Sequence, residues 1–370
     1  MKRLGVFHFY EKNGVVNDYI ETLLGSFQSV LSKLIIIVNG ELSDNEFQKL
    51  QVYSDIIYQR ENIGFDAGAY KDFFLDLHQE TWDLWDEIII FNSTFYGPFY
   101  EWTDIFKRME EEKVDFWGLS RHHGGVRLCK GRDLVPEHIQ AYFLAIRKNM
   151  FQSIHFLKFW EDLKYPRDYY EAVENFECRF TQWFKKKGFK YTSWIDIHGI
   201  NPYIAEGIDP CTEYIYELLT EYKFPIIKYK TMSIGNFTQM KKALQYLQEN
   251  TNYDTNLIID HIKIQSREKR WRPFSIETLE EFKKNHNKIY IFGNGKYGKE
   301  LDAYFSYKNW EIEAHVVSKP IELDEIAFGD FMMDPHDGII VALGKVSLAE
   351  MQEKLSGKFE KNQILFPFLG

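Results

Sequence analysis

The 370-residue chain sets 45 Lys plus Arg against 55 Asp plus Glu, a formal charge of −10, and is 45% apolar. A net field of that sign excludes a phosphate-tracking, nucleic-acid role for the chain as a whole, while the length and apolar fraction suit two domains with cores of their own. The 31 Phe, 23 Tyr and 9 Trp point first to an aromatic-rich core and second to flat ligand faces such as sugars or bases.

From the N-terminus, Leu4–Tyr10 reads as a buried strand, without the apolar region or cleavage site of a signal peptide. Asn17–Ser32 places Tyr19, Ile20, Leu23, Leu24 and Phe27 at helical spacing. Leu34–Val38 is a strand ended by the turn signal Asn39-Gly40. Ser43–Tyr53 is a helix with Ser43 as N-cap and Glu46 at the capping-box position. Asp55–Gln59 is a third strand, Ala67–Leu77 a helix and Glu87–Phe91 a fourth strand. Such alternation predicts an α/β fold with a parallel sheet and right-handed crossovers. Ligands of these sheets lie beyond the carboxyl ends of the strands, so chemistry is expected just after Tyr10, Val38, Gln59 and Phe91.

Further along, Asp115–Ser120 reads as a strand, Arg121–Asp133 as a polar loop, Glu137–Phe151 as helix, and Asn175–Lys187 as a helix closed by Gly188. Residues 236–285 read as a helical extension, and the strand Lys288–Phe292 opens a second α/β unit. The expected division is 1–235, 236–285 and 286–370. No segment approaches the roughly 20 apolar residues that span a bilayer. Cys129, Cys178 and Cys211 are widely spaced, so neither a disulfide framework nor a zinc knuckle is indicated and a reducing, cytoplasmic location is expected. Arg267–Phe274 mixes basic and aromatic residues, as a solvated linker or as a peripheral contact with anionic lipid.

Three segments carry candidate chemistry. The run Glu61–Tyr70 follows a strand and opens a helix. In it Gly64 and Gly68 allow close backbone approach and Asp66 can accept from ribose hydroxyls, or the same residues are an N-cap and turn glycines. The strand Ile88–Phe91 delivers Asn92, Ser93 and Thr94 before Gly97-Pro98. Carboxylates at such a place hold Mg²⁺ or Mn²⁺ on a pyrophosphate and offset the charge of the leaving group. This triplet has none, so a divalent metal is expected to bind weakly or to be dispensable. Glu177, beside Phe176 and before Gly188-Phe189, either deprotonates an acceptor hydroxyl or stabilises a helix start.

Taken in order, Asn62–Tyr70, Asn92–Pro98, Phe116-Trp117-Gly118, His138–Phe143 and Glu177–Gly188 resemble the rhamnan synthesis protein F family of bacterial cell-wall and O-antigen glycosyltransferases, from roughly Leu4 to Lys263. That family is similar to the wider GT-A class, in which a nucleotide-diphospho-sugar lies across the sheet. The resemblance implies a donor loop of Asn62, Gly64 and Asp66, with Asn92, Ser93 and Thr94 at the diphosphate. It implies Glu177 as the base of an inverting transfer, and His138 and Gln140 near donor or acceptor sugar. It further implies a hexose such as rhamnose moved to a polysaccharide or lipid-linked glycan, at the inner membrane face. The family usually reads Asn-Asp-Ser where this chain has Asn92-Ser93-Thr94. That departure opens a second expectation, a non-catalytic polysaccharide-assembly or binding subunit.

The C-terminal unit holds Gly293, Gly295 and Gly298 in a GxGxxG pattern between strand and helix, the dinucleotide fingerprint in its proper context. Its acidic partner should close the next strand, yet Ile312–Val317 ends in Ser318-Lys319. NAD, and with it a sugar-nucleotide oxidoreductase, is therefore not the expectation; a nucleotide ligand or a structural role for a small Rossmann-like domain is. His122-His123 reads as part of an acceptor-site loop rather than a metal site, since adjacent side chains point apart.

Overall fold

The computed structural model describes residues 1–76, 79–124, 134–196, 211, 214–234, 237–268, 276–320, 325–343, 351 and 353–366. They form two compact units, Met1–Cys211 with Glu217–Lys228, and Thr212–Tyr216 with Tyr229–Gly370.

In the first unit β1 (Arg3–Phe9), β2 (Lys33–Asn39), β3 (Ile57–Arg60) and β4 (Glu87–Asn92) lie parallel in the order β3-β2-β1-β4. The crossovers are α1 (Asp18–Phe27), α2 (Asp44–Gln51) and α3 (Phe65–Asp76). After the short β5 (Phe95–Tyr96) and α4 (Trp102–Glu111), the sheet turns mixed. It gains β6 (Phe116–His122), β7 (His138–Ile139), β8 (Phe143–Arg147) and β9 (Tyr191–Ile195). β8 is antiparallel to both β4 and β6, and β9 is parallel to β6. A further ribbon pairs β10 (Ile227–Lys228) antiparallel with β5.

Both faces of this sheet are covered, as hydrophobic runs such as Ile88–Phe91 require. On one face Phe27 of α1 stacks on Trp102 of α4, with centroids 4.5 Å apart, and meets Phe91 at 4.4 Å. On the other, Leu4, Val6, Ile88, Ile90, Leu144 and Ile146 pack beneath Tyr70, Phe73 and Phe74 of α3 and beneath Phe176, Phe180 and Phe184. Most large rings are thus core: Phe7, Phe9, Phe73, Phe74, Phe91, Trp117 and Trp160 are all fully buried. At the amino ends of the strands the buried Glu87 pairs with Arg3 at 2.9 Å and accepts from the Trp117 indole at 2.9 Å.

Two local expectations are corrected. Residues 137–151 are not a helix but β7, β8 and the one-turn α5 (Lys148–Phe151). Phe143–Ile146 is a short, fully buried apolar run, and such a run suits strand and helix equally until its neighbours decide. Ser43 does cap α2, accepting from Glu46 N at 3.4 Å, but the Glu46 carboxylate turns outward to Val16 N at 2.6 Å and Lys49. The tertiary contact displaces the second half of the capping box.

In the second unit β11 (Ile289–Phe292), β12 (Ala314–Val317), β13 (Glu325–Ala327), β14 (Gly338–Val341) and β15 (Ile364–Leu365) make a parallel sheet in the order β13-β12-β11-β14-β15. Leu279 and Phe282, from the helix Ile276–Asn285, join Ile289, Ile291, Leu301 and Phe305 in its core. No described helix is long and apolar enough to cross a membrane. Cys178 and Cys211 are buried free thiols; Cys129 and, from residue 269 on, the Arg267–Phe274 segment lie outside the described residues.

Candidate active site

Strand periodicity draws the boundary between core and site. Side chains two apart share a face, and the registers align Leu4 with Ile88, Val6 with Ile90 and His8 with Asn92. They then align Ile90 with Leu144 and Gly118 with Leu144. The aliphatic rows end one step later. At the carboxyl ends of β1 and β4 and in the adjoining backbone stand His8, Asn92, Tyr142 and Ser120. Asn92 N donates to Tyr142 O at 3.2 Å, and the Ser120 and Tyr142 hydroxyls lie 2.6 Å apart.

Two elements lay carboxylates over this polar row. Ala67 and Tyr70 anchor the first turns of α3 in the core, which sets Asp66 at its edge. Asp66 Oδ2 accepts from Asn92 Nδ2 at 2.9 Å, and Oδ1 from its neighbour's amide, Ala67 N, at 2.9 Å. The second element is a continuous helical run: α6 (Ile154–Asp162) precedes it, and it comprises α7 (Tyr169–Ala172), a π segment (Val173–Cys178) and α8 (Arg179–Lys186). Glu177 lies inside the π segment, not at a helix start, so the capping reading of this carboxylate does not hold. π turns are rare and concentrate at functional sites. Glu177 Oε1 accepts from Ala141 N at 3.1 Å and lies 3.8 Å from His138 Nε2. One turn on, Thr181 accepts from Ile139 N at 3.0 Å.

Burial raises the pKa of Asp66 above the ordinary carboxylate range; the Asn92 and Ala67 hydrogen bonds oppose this, and the nearby charge of Glu177 adds to it. Burial, then the charge of Arg60, lowers His8 to about 3. Burial, with Asp66 second, holds the Tyr70 hydroxyl well above its usual value. Among the described residues, His8 Nε2 and Tyr70 Oη are buried without a hydrogen-bond partner. They sit in rings 6.1 Å apart, edge to face. In the sequence His8 reads only as part of the buried strand Leu4–Tyr10, and Tyr70 only as the end of the run Glu61–Tyr70.

The remaining candidates divide. Asp66, Asn92, Glu177 and His138 are brought together. Thr94 joins them by donating its hydroxyl to Asn92 Oδ1 at 2.6 Å. Ser93 is buried and held by its backbone, its N donating to His8 O at 3.1 Å and its O accepting from Tyr19 Oη at 2.9 Å. With Thr94 N donating to Asn92 Oδ1 at 3.2 Å, the amides of this triplet are already occupied. Gln140 turns aside, its Oε1 accepting from Ser120 Oγ at 2.6 Å. Asn62 accepts from Asn39 Nδ2 at 3.1 Å, and Arg60 binds Asn39, Asp72 and Ile63 O. This network fixes the loop before α3.

Gly64 has φ +76°, and a Cβ there would meet Tyr165 Cδ1 at 2.7 Å; at Gly68 it would meet Ile63 O at 2.3 Å. These glycines answer a packing need of the loop. Phe65 follows in the left-handed region at φ +56°, a strained setting for a bulky residue and one that recurs beside sites. The His122 ring stacks on His138 at 5.1 Å.

In the second unit Gly293 turns at φ +104°, and a Cβ on Gly298 would meet Gly293 O at 2.2 Å. A Cβ on Gly295 would meet nothing within 4 Å. Asn294 donates to Glu325 at 2.8 Å, and His315 contacts Gly293 O at 3.2 Å and Asp302 at 2.7 Å. Gly293 turns the chain and Gly298 lets the helix pack close to it, while Ser318-Lys319 follows β12 where a dinucleotide loop would have an acidic partner.

Among solved structures, the chain is similar to 4-diphosphocytidyl-2C-methyl-D-erythritol synthase from Anaerococcus prevotii, with 12% identity, 52% of this chain, 86% of that one and TM-score 0.32. It is also similar to glucosyl-3-phosphoglycerate synthase from Mycobacterium tuberculosis, solved with Mn²⁺ and UDP-glucose, with 12% identity, 40% and 58% coverage and TM-score 0.27. Likeness at that level is partial and does not speak to chemistry. An uncharacterized protein of Sinorhizobium fredii, y4gN, is 24% identical over 193 residues, 51% of this chain. The chain spans about half the length of that relative, 48%. The model of the rhamnan synthesis protein F family matches residues 34–292, which takes in every strand of the first unit except β1 together with Asp66, Asn92 and Glu177, and the chain belongs to that family.

Proposed function

We propose that the chain is a glycosyltransferase of polysaccharide synthesis, moving a hexose such as rhamnose from a nucleotide-diphospho-sugar to a glycan hydroxyl with inversion. The observation that carries this is the meeting of Asp66, Asn92 and Glu177 at the carboxyl edge of the sheet, in a chain of a rhamnan synthesis family. Glu177 Oε1 is held by Ala141 N, while Oε2 has no hydrogen-bond partner among the described residues and its side chain is 20% exposed. Oε2 takes the proton of the acceptor hydroxyl; the resulting oxygen attacks the anomeric carbon. The bond from that carbon to the diphosphate breaks, and its electrons leave on the β-phosphate oxygen. Beside its hydrogen bonds to Asn92 and Ala67, the Asp66 carboxylate accepts from a ribose hydroxyl. Catalysis is assigned to residues 1–235 and no step to residues 286–370, with the acceptor a polysaccharide or lipid-linked glycan at the inner membrane face.

GT-A enzymes place a divalent cation at the diphosphate. The donor set here does not fit a preformed site: the triplet offers neutral oxygens, and no group of three or more His, Cys, Asp or Glu converges among the described residues. Mg²⁺ or Mn²⁺ is dispensable in this reading. The neutral triplet also motivates a second reading, a non-catalytic assembly or binding subunit.

A calorimetric screen of nucleotide sugars in EDTA and in Mn²⁺, followed by measured release of nucleoside diphosphate, tests both. Binding in EDTA with turnover supports transfer. Binding without turnover favours the assembly subunit, and no binding in either condition refutes the donor site.

A further inference from the structure

The site sets two carboxylates beside a neutral triplet, yet a nucleoside diphosphate brings at least two further negative charges. Such charge must be offset where it develops. Arg60 is committed to Asp72, Asn39 and Ile63 O in the loop network. A different cation, far along the chain, is brought beside the strand that follows the triplet. β5 begins at Phe95, directly after Thr94, and its partner β10 aligns Lys228 with Phe95 and Ile227 with Tyr96. Phe224, Ile226 and Ile227 are fully buried, and Phe99 N donates to Pro225 O at 2.9 Å, so the backbone beneath Lys228 is fixed. Its side chain is part-exposed, and Nζ lies 5.0 Å from the centroid of the Tyr142 ring. Tyr142 is the residue whose carbonyl receives Asn92 N. The strand pairing and the ring thus hold an ammonium group over Tyr142, the residue that adjoins the end of β4.

We propose that Lys228 is the diphosphate-binding cation of this site, providing the charge that a metal held by carboxylates would otherwise supply. This rests on the transferase reading above, and the test separates the two. UDP, dTDP and GDP, and the nucleosides uridine, thymidine and guanosine, are titrated calorimetrically in EDTA and in Mn²⁺ into the wild type, Lys228→Met and Lys228→Arg. Loss of a hydrogen bond to a charged group weakens the diphosphate by about 10- to 100-fold in Lys228→Met. Nucleoside affinity and melting temperature stay unchanged, and Lys228→Arg recovers most of the loss. Diphosphate binding in Lys228→Met equal to wild type, in EDTA or only in Mn²⁺, overturns the assignment of Lys228 while leaving the transferase reading intact. A wild type that binds none of the diphosphates in either condition overturns the donor site itself.

Discussion

Replacing Glu177 with Gln is expected to abolish transfer while leaving the fold and donor binding in place. The substituted Oε1 can still accept from Ala141 N, 3.1 Å away, so the contact that docks the π segment on the β7–β8 connection survives. The structural cost is then the difference between a charged and a neutral acceptor, about 1 kcal/mol or less, or a fall of roughly 2–4 °C in melting temperature for a unit of this size. The chemical cost is larger. A general base contributes about 10² to 10⁴ in rate, which is roughly 3–5 kcal/mol of barrier. Two effects so different in size separate in one variant. The assay compares release of nucleoside diphosphate in the presence of acceptor, affinity for the diphosphate alone, and thermal melting. A rate within a few-fold of wild type in a folded Glu177→Gln protein would refute the base assignment and leave Glu177 as the acceptor for Ala141 N.

Asp66, whose pKa burial raises, folds more readily protonated; its contribution is fullest below the ordinary carboxylate range and is lost as pH rises through its folded value. Asp66→Asn should therefore melt higher than wild type at neutral pH and equally at pH about 3, and Asp66→Ala should weaken diphosphate binding; a neutral-pH melting curve identical to wild type would count against the buried charge. His8 has the opposite sign: with a folded value of about 3 against an ordinary 6.5, its stability is complete above 6.5 and falls with pH by about 1.4 kcal/mol per unit until the folded value is reached. His8→Gln should flatten the dependence of melting temperature on pH across that window, and curves that stay parallel would show that another group governs the acid limb.

The alternating half of the first unit was legible because its signals agree. Continuous apolar strands, helical spacing in α1 and the Ser43 cap each specify the same βαβ path, and β1 to β4 are parallel as it requires. At residues 137–151 local pattern loses its hold, although the strand at 115–120 and the helices of 236–285 are read correctly on either side. Phe143–Arg147 is antiparallel to β4, a pairing made across more than fifty residues of chain and invisible to a window of any practical width. The second unit shows the same limit differently. Leu279 and Phe282 have the spacing of an ordinary amphipathic helix, and only the packed core reveals that they serve the β11 sheet.

The site was legible in its carboxylates and not in their surroundings, and the reason is register. Asp66 and Glu177 stand out because acidic residues beside core aromatics need a reason to be there. Asn39, His8, Tyr142 and Ser120 do not, because each sits in or beside an apolar run and reads as part of it. They become a site only when neighbouring strands stop being aliphatic at the same height, which depends on the pairing of β1 with β4 and of β4 with β8. A one-residue slip in either pairing would turn those side chains to the opposite face, beneath the Phe27 and Trp102 stack, and would strand Asp66 without Asn92. The aliphatic ladder that builds the core therefore also fixes the site, since Val6 opposite Ile90 is what sets His8 opposite Asn92. Asn92 spends its amide on Asp66 and its carbonyl on Thr94, so the end of β4 and the start of α3 are held together by the same side chain that the register places.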